Sequence, residues 1–553
     1  MADFFAAHRA TLDAAIAACR TRGYWSAYPE TPSGRIYGED AREAGEAAFK
    51  ALLGKPFPLD QEGEGAPIGA EVSPYGFPLG ITYPRREVAP LIAAAGRAGA
   101  AWAAATPQTR AGVALEILAR LNRDSFLMAH AIQHTTGQAF VMAFQAGGPH
   151  AQDRGLEAVA YAFDEMTRIP HAARWEKPQG KAPPVLLAKE WRIVPRGIGL
   201  VIGCSTFPTW NGYPGLFASL ATGNAVIVKP HPNAILPLAL AVRTARAVLR
   251  EAGFDPDVVQ LAPDTVEAPI AAALATHPAI GIVDYTGGPA FGRWLRAHVR
   301  DAALFTEEAG INPVVIAGSP DFRGMCANLA FSLALYSGQM CTAPQNLFVP
   351  AEGIATDEGS KSFDAIAAGI AAAIDALLAD PARAAGVLGA IASPATLARI
   401  AAARGLGRVV RDSAPLPDAG AARTATPLLV AVEAEDEAAY LEERFGPIAF
   451  LIRCRDADDA LARAAASARD RGAITAALYA TEEAFIARAA DAFARAGVPL
   501  SVNLTGGIYV NQSAAFSDYH VSGLNPAGNA CLTDSAFVAN RFRVAALRRP
   551  IAA

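Results

Sequence analysis

Apolar positions along the chain change their spacing twice, and the changes divide it. The first stretch, FFAAHRATLDAAIAAC, places Phe4, Leu12, Ile16 and Cys19 at helical spacing. Residues 52–84 then read LLGKPFPLDQEGEGAPIGAEVSPYGFPLGITYP, too rich in Pro and Gly to hold a helix, so an extended arm is expected. From Glu87 to Phe144 the helical period returns and predicts two amphipathic helices broken near Thr106 and Pro107, with Gly147, Gly148 and Pro149 marking the next boundary.

From Val185 the pattern shortens. VLLAKEWRIV reads as strand, and GIGLVIGC (197–204), GNAVIVK (223–229), residues 258–261 and residues 281–285 are short apolar runs of the kind parallel strands show when both faces are buried. Helical stretches through Leu240 and Val248, near Ile270 and from Pro289 alternate with them, which predicts a doubly wound α/β sheet. A second alternation runs from Pro313–Ile316 past Leu347 to Tyr479 and predicts a second α/β domain.

Composition narrows the classes. A chain of 553 residues, 52% hydrophobic and 18% charged, has room for roughly three to four domains and is not a disordered polymer. Its 48 Lys and Arg against 53 Asp and Glu give a net charge of −5, which offers no basic excess for a nucleic-acid backbone. No apolar run reaches the ~18 residues a bilayer span needs, and Asp3, Arg9, Asp13 and Arg20 interrupt any leader-like core. A cytoplasmic protein without membrane or nucleic-acid partners is expected. Six scattered cysteines suit a reducing compartment rather than a disulfide framework.

Several short segments carry candidate chemistry. In TGGPAFG, Gly287 and Gly288 allow a tight turn after an apolar strand, and a helix starting at Pro289 offers free N–H groups to an anion; a plain structural turn reads equally well. Cys341 in SGQMCTAPQ has small polar neighbours, as a reactive thiol does, although most single cysteines are inert. Glu307 and Glu308 end another apolar strand and offer a base, or a solvated loop. Asn211 follows a strand at the end of the sheet where ligands gather, and its amide suits an oxyanion as well as a turn. Lys229 and Glu443 are uninformative alone.

In chain order, PTWN (208–211), ATGNAVIVKP (221–230), YTGG (285–288), Glu307, Cys341 and ERFGP (443–447) together resemble the aldehyde dehydrogenase superfamily, from about residue 87 to the C-terminus. Cys341 follows Glu307 by 34 positions, the family's interval between general base and nucleophile. The resemblance implies a Rossmann-type cofactor domain (85–182 and 195–308), an α/β catalytic domain (309–525), a small β oligomerisation element (183–194 and 526–553) and an N-terminal extension (1–84) without an assigned role. It implies a homodimer or larger assembly.

By the same resemblance Cys341 is the nucleophile, Asn211 an oxyanion donor and Glu307 the base that activates water, with Glu308 one position off the interval. Lys229, Trp210, Gly287, Gly288, Gly292, Glu443 and Phe445 fall to the cofactor, and no metal is implied. Where many NAD-specific members place a Glu three residues after the lysine, this chain has Pro232, which favours NADP over NAD. Gly288 replaces a usual serine, Thr209 a usual proline and Ile311 a usual lysine, and the C-terminal Gly-rich motif is reduced to FSDYHVSG (516–523).

The phrases CSTFPTWNGYP, TEEAGINP and YVNQSAAFSDYHVSGLNPAGNA are most similar to the phenylacetic acid degradation type of aldehyde dehydrogenase. That resemblance implies a CoA-linked semialdehyde substrate and a separate hydratase for ring opening. Three alternatives accompany it: a CoA-acylating dehydrogenase, against which Glu307 speaks; a silent binding protein; and a cysteine hydrolase, for which the sequence identifies no histidine near the thiol. Cys204 is read as core within a strand. His130 and His134 stand four apart on a helix, a spacing that suits a metal, but no third ligand is evident.

Overall fold

A computed structural model describes residues 3–308 and 310–551. The expected domain boundary at Ala309 and the residues at the two extreme termini lie outside these. Helix Phe4–Thr21 is capped by the Asp3 carboxylate, which accepts from the Ala6 amide, and buries Leu12, Ala15 and Ala18. It packs on helices Pro107–Arg123 and Pro149–Thr167.

Between Val88 and Gly147 the chain forms four helices, Val88–Ala104, Pro107–Arg123, Ser125–Thr136 and Phe140–Gly147, where the apolar spacing predicts two. The additional breaks fall at Asp124 and at Gly137, whose φ of 86° ends a helix in the left-handed region. Both lie in short polar stretches, NRDS (122–125) and QHTTGQ (133–138), between apolar helical segments. The arm over 52–84 is a packed element, not a linker. The Gln61 side chain exchanges hydrogen bonds of 2.7 and 2.8 Å with the Leu261 backbone, and the Glu71 carboxylate accepts from the amides of Ile235 and Leu236.

Strands β1 (Ala172–Gln179) and β2 (Ala182–Pro195) make an antiparallel hairpin. Next come β3 (Ile198–Ile202), β4 (Ala225–Lys229), β5 (Val259–Leu261), β6 (Ile280–Gly287) and β7 (Ala303–Glu308), which form a parallel five-stranded sheet in the order β5-β4-β3-β6-β7. The second large sheet has seven strands: β8 (Asn312–Ile316), β9 (Pro344–Pro350), β12 (Arg408–Arg411), β13 (Leu428–Glu433), β14 (Ile448–Cys454), β15 (Ala476–Tyr479) and β16 (Leu500–Val502). Its order is β12-β13-β14-β9-β8-β15-β16, parallel except for the edge strand β12. A hairpin of β10 (Ile354–Thr356) and β11 (Gly359–Lys361) projects beside it. Every residue of β3, β4, β8 and β9 is buried, as strands covered on both faces require.

Strand β17 (Phe542–Pro550) joins the other edge of β2 and completes a small antiparallel sheet. This sheet begins earlier than the expected 183–194, because all eight residues of β1 are exposed and carry no apolar period. Residues 526–541 belong to the main body instead: the Glu308 amide donates to the Ala527 carbonyl at 2.6 Å, and helix Ser535–Ala539 lies on Pro149–Thr167. Among the described residues no single helix is long and apolar enough to cross a membrane. The strand order reverses between β3 and β6, and the crevice outside the carboxyl ends of the sheet at that point is where α/β folds bind ligands.

Candidate active site

Cys341 sits on the loop that leads into β9, and that loop is held rigidly. Tyr336, Ser337 and Gly338 follow one another at φ 52°, 50° and 61°, a left-handed run that two non-glycine residues sustain only because the surroundings fix them. The Tyr336 hydroxyl donates to the Thr136 carbonyl, and the Ser337 hydroxyl lies 3.1 Å from the carbonyls of Leu388 and Ala425. At Gly338 a side chain would come within 2.5 Å of the Gly446 carbonyl oxygen. Asn312 clamps the next turn: its amide nitrogen donates to the carbonyls of Cys341 and Ala343, both at 2.8 Å, while its oxygen accepts from Ile474 and Thr475.

Facing the thiol is a buried polar cluster. Glu307, at the end of β7, accepts from Asn211 Nδ2 at 3.0 Å to each carboxylate oxygen. The imidazole of His520 reaches the same carboxylate at 2.9 Å. One ligand-type atom from each of Glu307, Cys341 and His520 lies within 4.8 Å of the others. The Cys204 thiol stands 3.7 Å from Asn211 Oδ1 and turns the amide nitrogen of Asn211 toward Glu307. Burial first, and then the Glu307 carboxylate, hold the Cys341 thiol well above the ordinary range. Burial likewise lifts Cys204 to about 11.

Glu308, next along β7, points to the other face. It pairs with Arg296, and Gly292 leaves the space its carboxylate occupies. Alternation along the strand therefore separates the two glutamates, and Glu307 alone meets the thiol.

The carboxyl ends of β4, β5 and β6 make a second region. Lys229 ends β4 and forms an ion pair of 2.6 Å with Asp264, both side chains being buried. Gly287 ends β6, and Gly288 caps helix Pro289–His298 with open space where a side chain would stand. That cradle fits a dinucleotide: it has free helix N–H groups with room beside them for a phosphate, and a buried charged pair at the end of β4 whose chemistry suits ribose hydroxyls. Near Cys341, burial raises the Glu443 carboxyl to about 7, and Arg399 donates to the Phe445 carbonyl at 3.0 Å.

A cavity of about 540 Å³ opens in front of the thiol. Cys341, Asn211, Trp210 and His520 lie on its wall. Apolar groups dominate the rest, among them Val141, Met142, Phe207, Phe331 and Met340, and its carboxyl and further imidazole groups are Glu30, Asp153 and His150.

Comparison with known proteins now decides the class. The model of the aldehyde dehydrogenase family matches residues 82–530. The chain belongs to the aldehyde dehydrogenase family. It is 54% identical to a structurally determined NAD-dependent aldehyde dehydrogenase from Burkholderia multivorans, with a TM-score of 0.98 and both chains covered completely. Among named relatives, an N-succinylglutamate 5-semialdehyde dehydrogenase of Burkholderia multivorans is 30% identical over 384 residues, 68% of this chain and 73% of that one. The 1-pyrroline-5-carboxylate dehydrogenase of Thermus thermophilus shares the fold at 18% identity, with a TM-score of 0.77 over 96% of this chain and 99% of that one.

The protein is thus an NAD(P)-dependent aldehyde dehydrogenase, and its structure gathers Cys341, Glu307 and Asn211 as the sequence order suggests. Trp210, expected at the cofactor, stands on the cavity wall with its ring edge-on to His520 at 4.5 Å. Gly292 packs under Glu308 instead of facing the crevice. Cys204 lies just past β3, not within it, and touches the site amide. His130 and His134 stack among Phe49, Phe140 and one another as helix packing. Sequence reasoning missed His520 and Asp264. The only signal for His520 is its place in FSDYHVSG, a segment already marked as departing from the family.

Proposed function

We propose that this aldehyde dehydrogenase oxidises an aldehyde with an uncharged, largely apolar body to its carboxylic acid through a thioester on Cys341. The observation that carries the reading is the Glu307 carboxylate, buried and held by Asn211 and His520 beside a thiol that burial keeps protonated. Glu307 takes the thiol proton, and the sulfur bonds the aldehyde carbon. Asn211 turns its amide from Glu307 to the oxygen that gains negative charge. When bound, the nicotinamide dinucleotide accepts the hydride that leaves the carbon. Glu307 gives the thiol's proton up to solvent, then removes one from water as it attacks the thioester, and passes that proton to the departing sulfur, which releases the acid and restores the thiol.

On the substrate, Glu30 on the cavity wall disfavours an aldehyde whose body carries carboxylates, and among the described residues no Lys or Arg lines it. This favours a semialdehyde linked to CoA, with its acyl chain inside and its phosphates outside, over the doubly anionic substrate in the name of the succinylglutamate relatives. A separate hydratase would then supply that semialdehyde. The exposed sheet of β1, β2 and β17, with Trp175, Val185 and Val194 at its surface, supports association into a dimer or larger assembly.

On the cofactor, Pro232 removes one carboxylate from the ribose end, but Asp264 brings another to Lys229. A buried carboxylate there accepts ribose hydroxyls and repels a 2′-phosphate, which favours NAD. Turnover of aliphatic, aromatic and CoA-linked aldehydes with each cofactor, with products identified in the presence and absence of free CoA, tests the whole reading. Acid formed without CoA supports it; acyl-CoA formed only with CoA favours the acylating alternative.

A further inference from the structure

The region matched by the family begins at residue 82, yet the cavity in front of Cys341 is partly walled by residues that precede it: Tyr24, Trp25, Ser26 and Glu30. We propose that this segment, residues 22–30, is a fixed wall of the aldehyde site and sets its preference for long or aromatic aldehydes over short ones. The inference rests on the aldehyde-oxidation reading above and gives the N-terminal extension its role.

The path of the segment follows from where the first helix stops. Helix Phe4–Thr21 ends at Arg22, which takes the left-handed conformation at φ 57° and turns the chain out of the helix, and the residues that follow, Tyr24, Trp25, Ser26 and Glu30, line the cavity. Arg22 itself is pinned twice. Its guanidinium lies 4.1 Å over the Tyr519 ring and donates to the Tyr161 hydroxyl at 2.8 Å. Trp25 meets Phe516 edge-on at 4.9 Å. Ser26 donates its hydroxyl to the Asp153 carboxylate, and the Ala27 amide donates to the same group at 3.1 Å. Glu30 pairs with His150 at 2.6 Å. These anchors reach two separate parts of the cavity wall, the helix Pro149–Thr167 and the loop through 516–520. The segment is built into the site, and the loop it holds is the one that carries His520.

The lining names the ligand class. Trp25 of the segment lines the cavity together with Phe331 and Tyr509, which stack at 3.9 Å, and with Val141 and Met142. A volume of about 540 Å³ is far more than a two- or three-carbon aldehyde fills. Each methylene that such a wall removes from water raises kcat/KM about fourfold, until the body outgrows the cavity. Without Trp25 much of that gain is lost.

The test compares the full-length wild type with Trp25→Ala and Trp25→Phe. The readouts are kcat/KM for propanal, hexanal, octanal and phenylacetaldehyde with saturating NAD, and calorimetric binding of octanamide, which cannot be oxidised. In Trp25→Ala the octanal-to-propanal ratio of kcat/KM is expected to fall about tenfold or more, and octanamide affinity to weaken by a similar factor. In Trp25→Phe both should stay within about threefold of the wild type. An unchanged ratio with unchanged octanamide binding in folded Trp25→Ala overturns the proposal. Octanamide binding that weakens in an enzyme oxidising none of these aldehydes would keep the wall and discard free, uncharged aldehydes as its substrates.

Discussion

The imidazole of His520 and the carboxylate of Glu307, 213 positions apart in the chain, meet at 2.9 Å with exposures of only 2% and 1%. Asn211 holds the same carboxylate from the other side. The proposed base is therefore tethered at two points beside Cys341, and the conformation in which it faces the thiol is set by residues from three distant segments.

His520 acts in this arrangement as a positioning residue. His520→Ala should lower kcat about tenfold to a hundredfold, a part of what general bases contribute, and leave the dissociation constant for NAD within about twofold. Because hydride transfer precedes hydrolysis, rapid mixing should show a burst of NADH followed by slow turnover. His520→Gln, which restores a donor, should recover much of the rate. A loss in which burst and steady state shrink together would point to a merely structural role.

The Lys229–Asp264 pair predicts cofactor choice. The wild type should bind NAD at least about tenfold tighter than NADP by fluorescence titration, and Asp264→Asn should narrow or reverse the ratio by freeing Lys229 for a 2′-phosphate. If Asp264→Asn leaves the ratio unmoved, the Pro232 argument for NADP stands without a counterweight.

Asp153 links the N-terminal wall to pH. Burial raises its carboxyl from 3.8 to about 7. A group whose folded value lies above its unfolded one contributes stability that is complete below about pH 4 and is lost as pH rises through about 7. Thermal unfolding should therefore show Tm declining between about pH 4 and 7 and levelling above, by a few degrees on the usual scale, and Asp153→Asn should flatten that slope. Parallel Tm curves for the two proteins would remove Asp153 from the account.

Much of this was legible in the sequence because buried parallel strands leave continuous apolar runs: GLVI, AVIVK and PVVI each mark a strand that the structure contains. The chain order of Asn211, Glu307 and Cys341 was equally readable. Strand β1 was not, since a strand exposed along its whole length has no period to detect. The breaks at Asp124 and Gly137 fall in the polar stretches NRDS (122–125) and QHTTGQ (133–138), which a two-helix reading absorbs as part of a polar helix face. Trp25, His520 and Asp264 share another cause. Each acquires its meaning only from a partner more than 30 positions away, Phe516, Glu307 and Lys229 respectively, and spacing along one sequence carries no record of such meetings.

The most direct measurement mixes Glu307→Gln with excess aldehyde and NAD, then follows NADH and the intact mass of the protein. A carboxamide in place of the base blocks hydrolysis more severely than acylation, because acylation needs only one proton transfer from the thiol, which solvent can also accept. The account predicts about one NADH per active site, followed by near arrest, and a mass gain equal to the acyl group that maps to the peptide containing Cys341 and is absent in Glu307→Gln combined with Cys341→Ser. Sustained wild-type turnover by Glu307→Gln, or an acyl group on any residue other than Cys341, would contradict it.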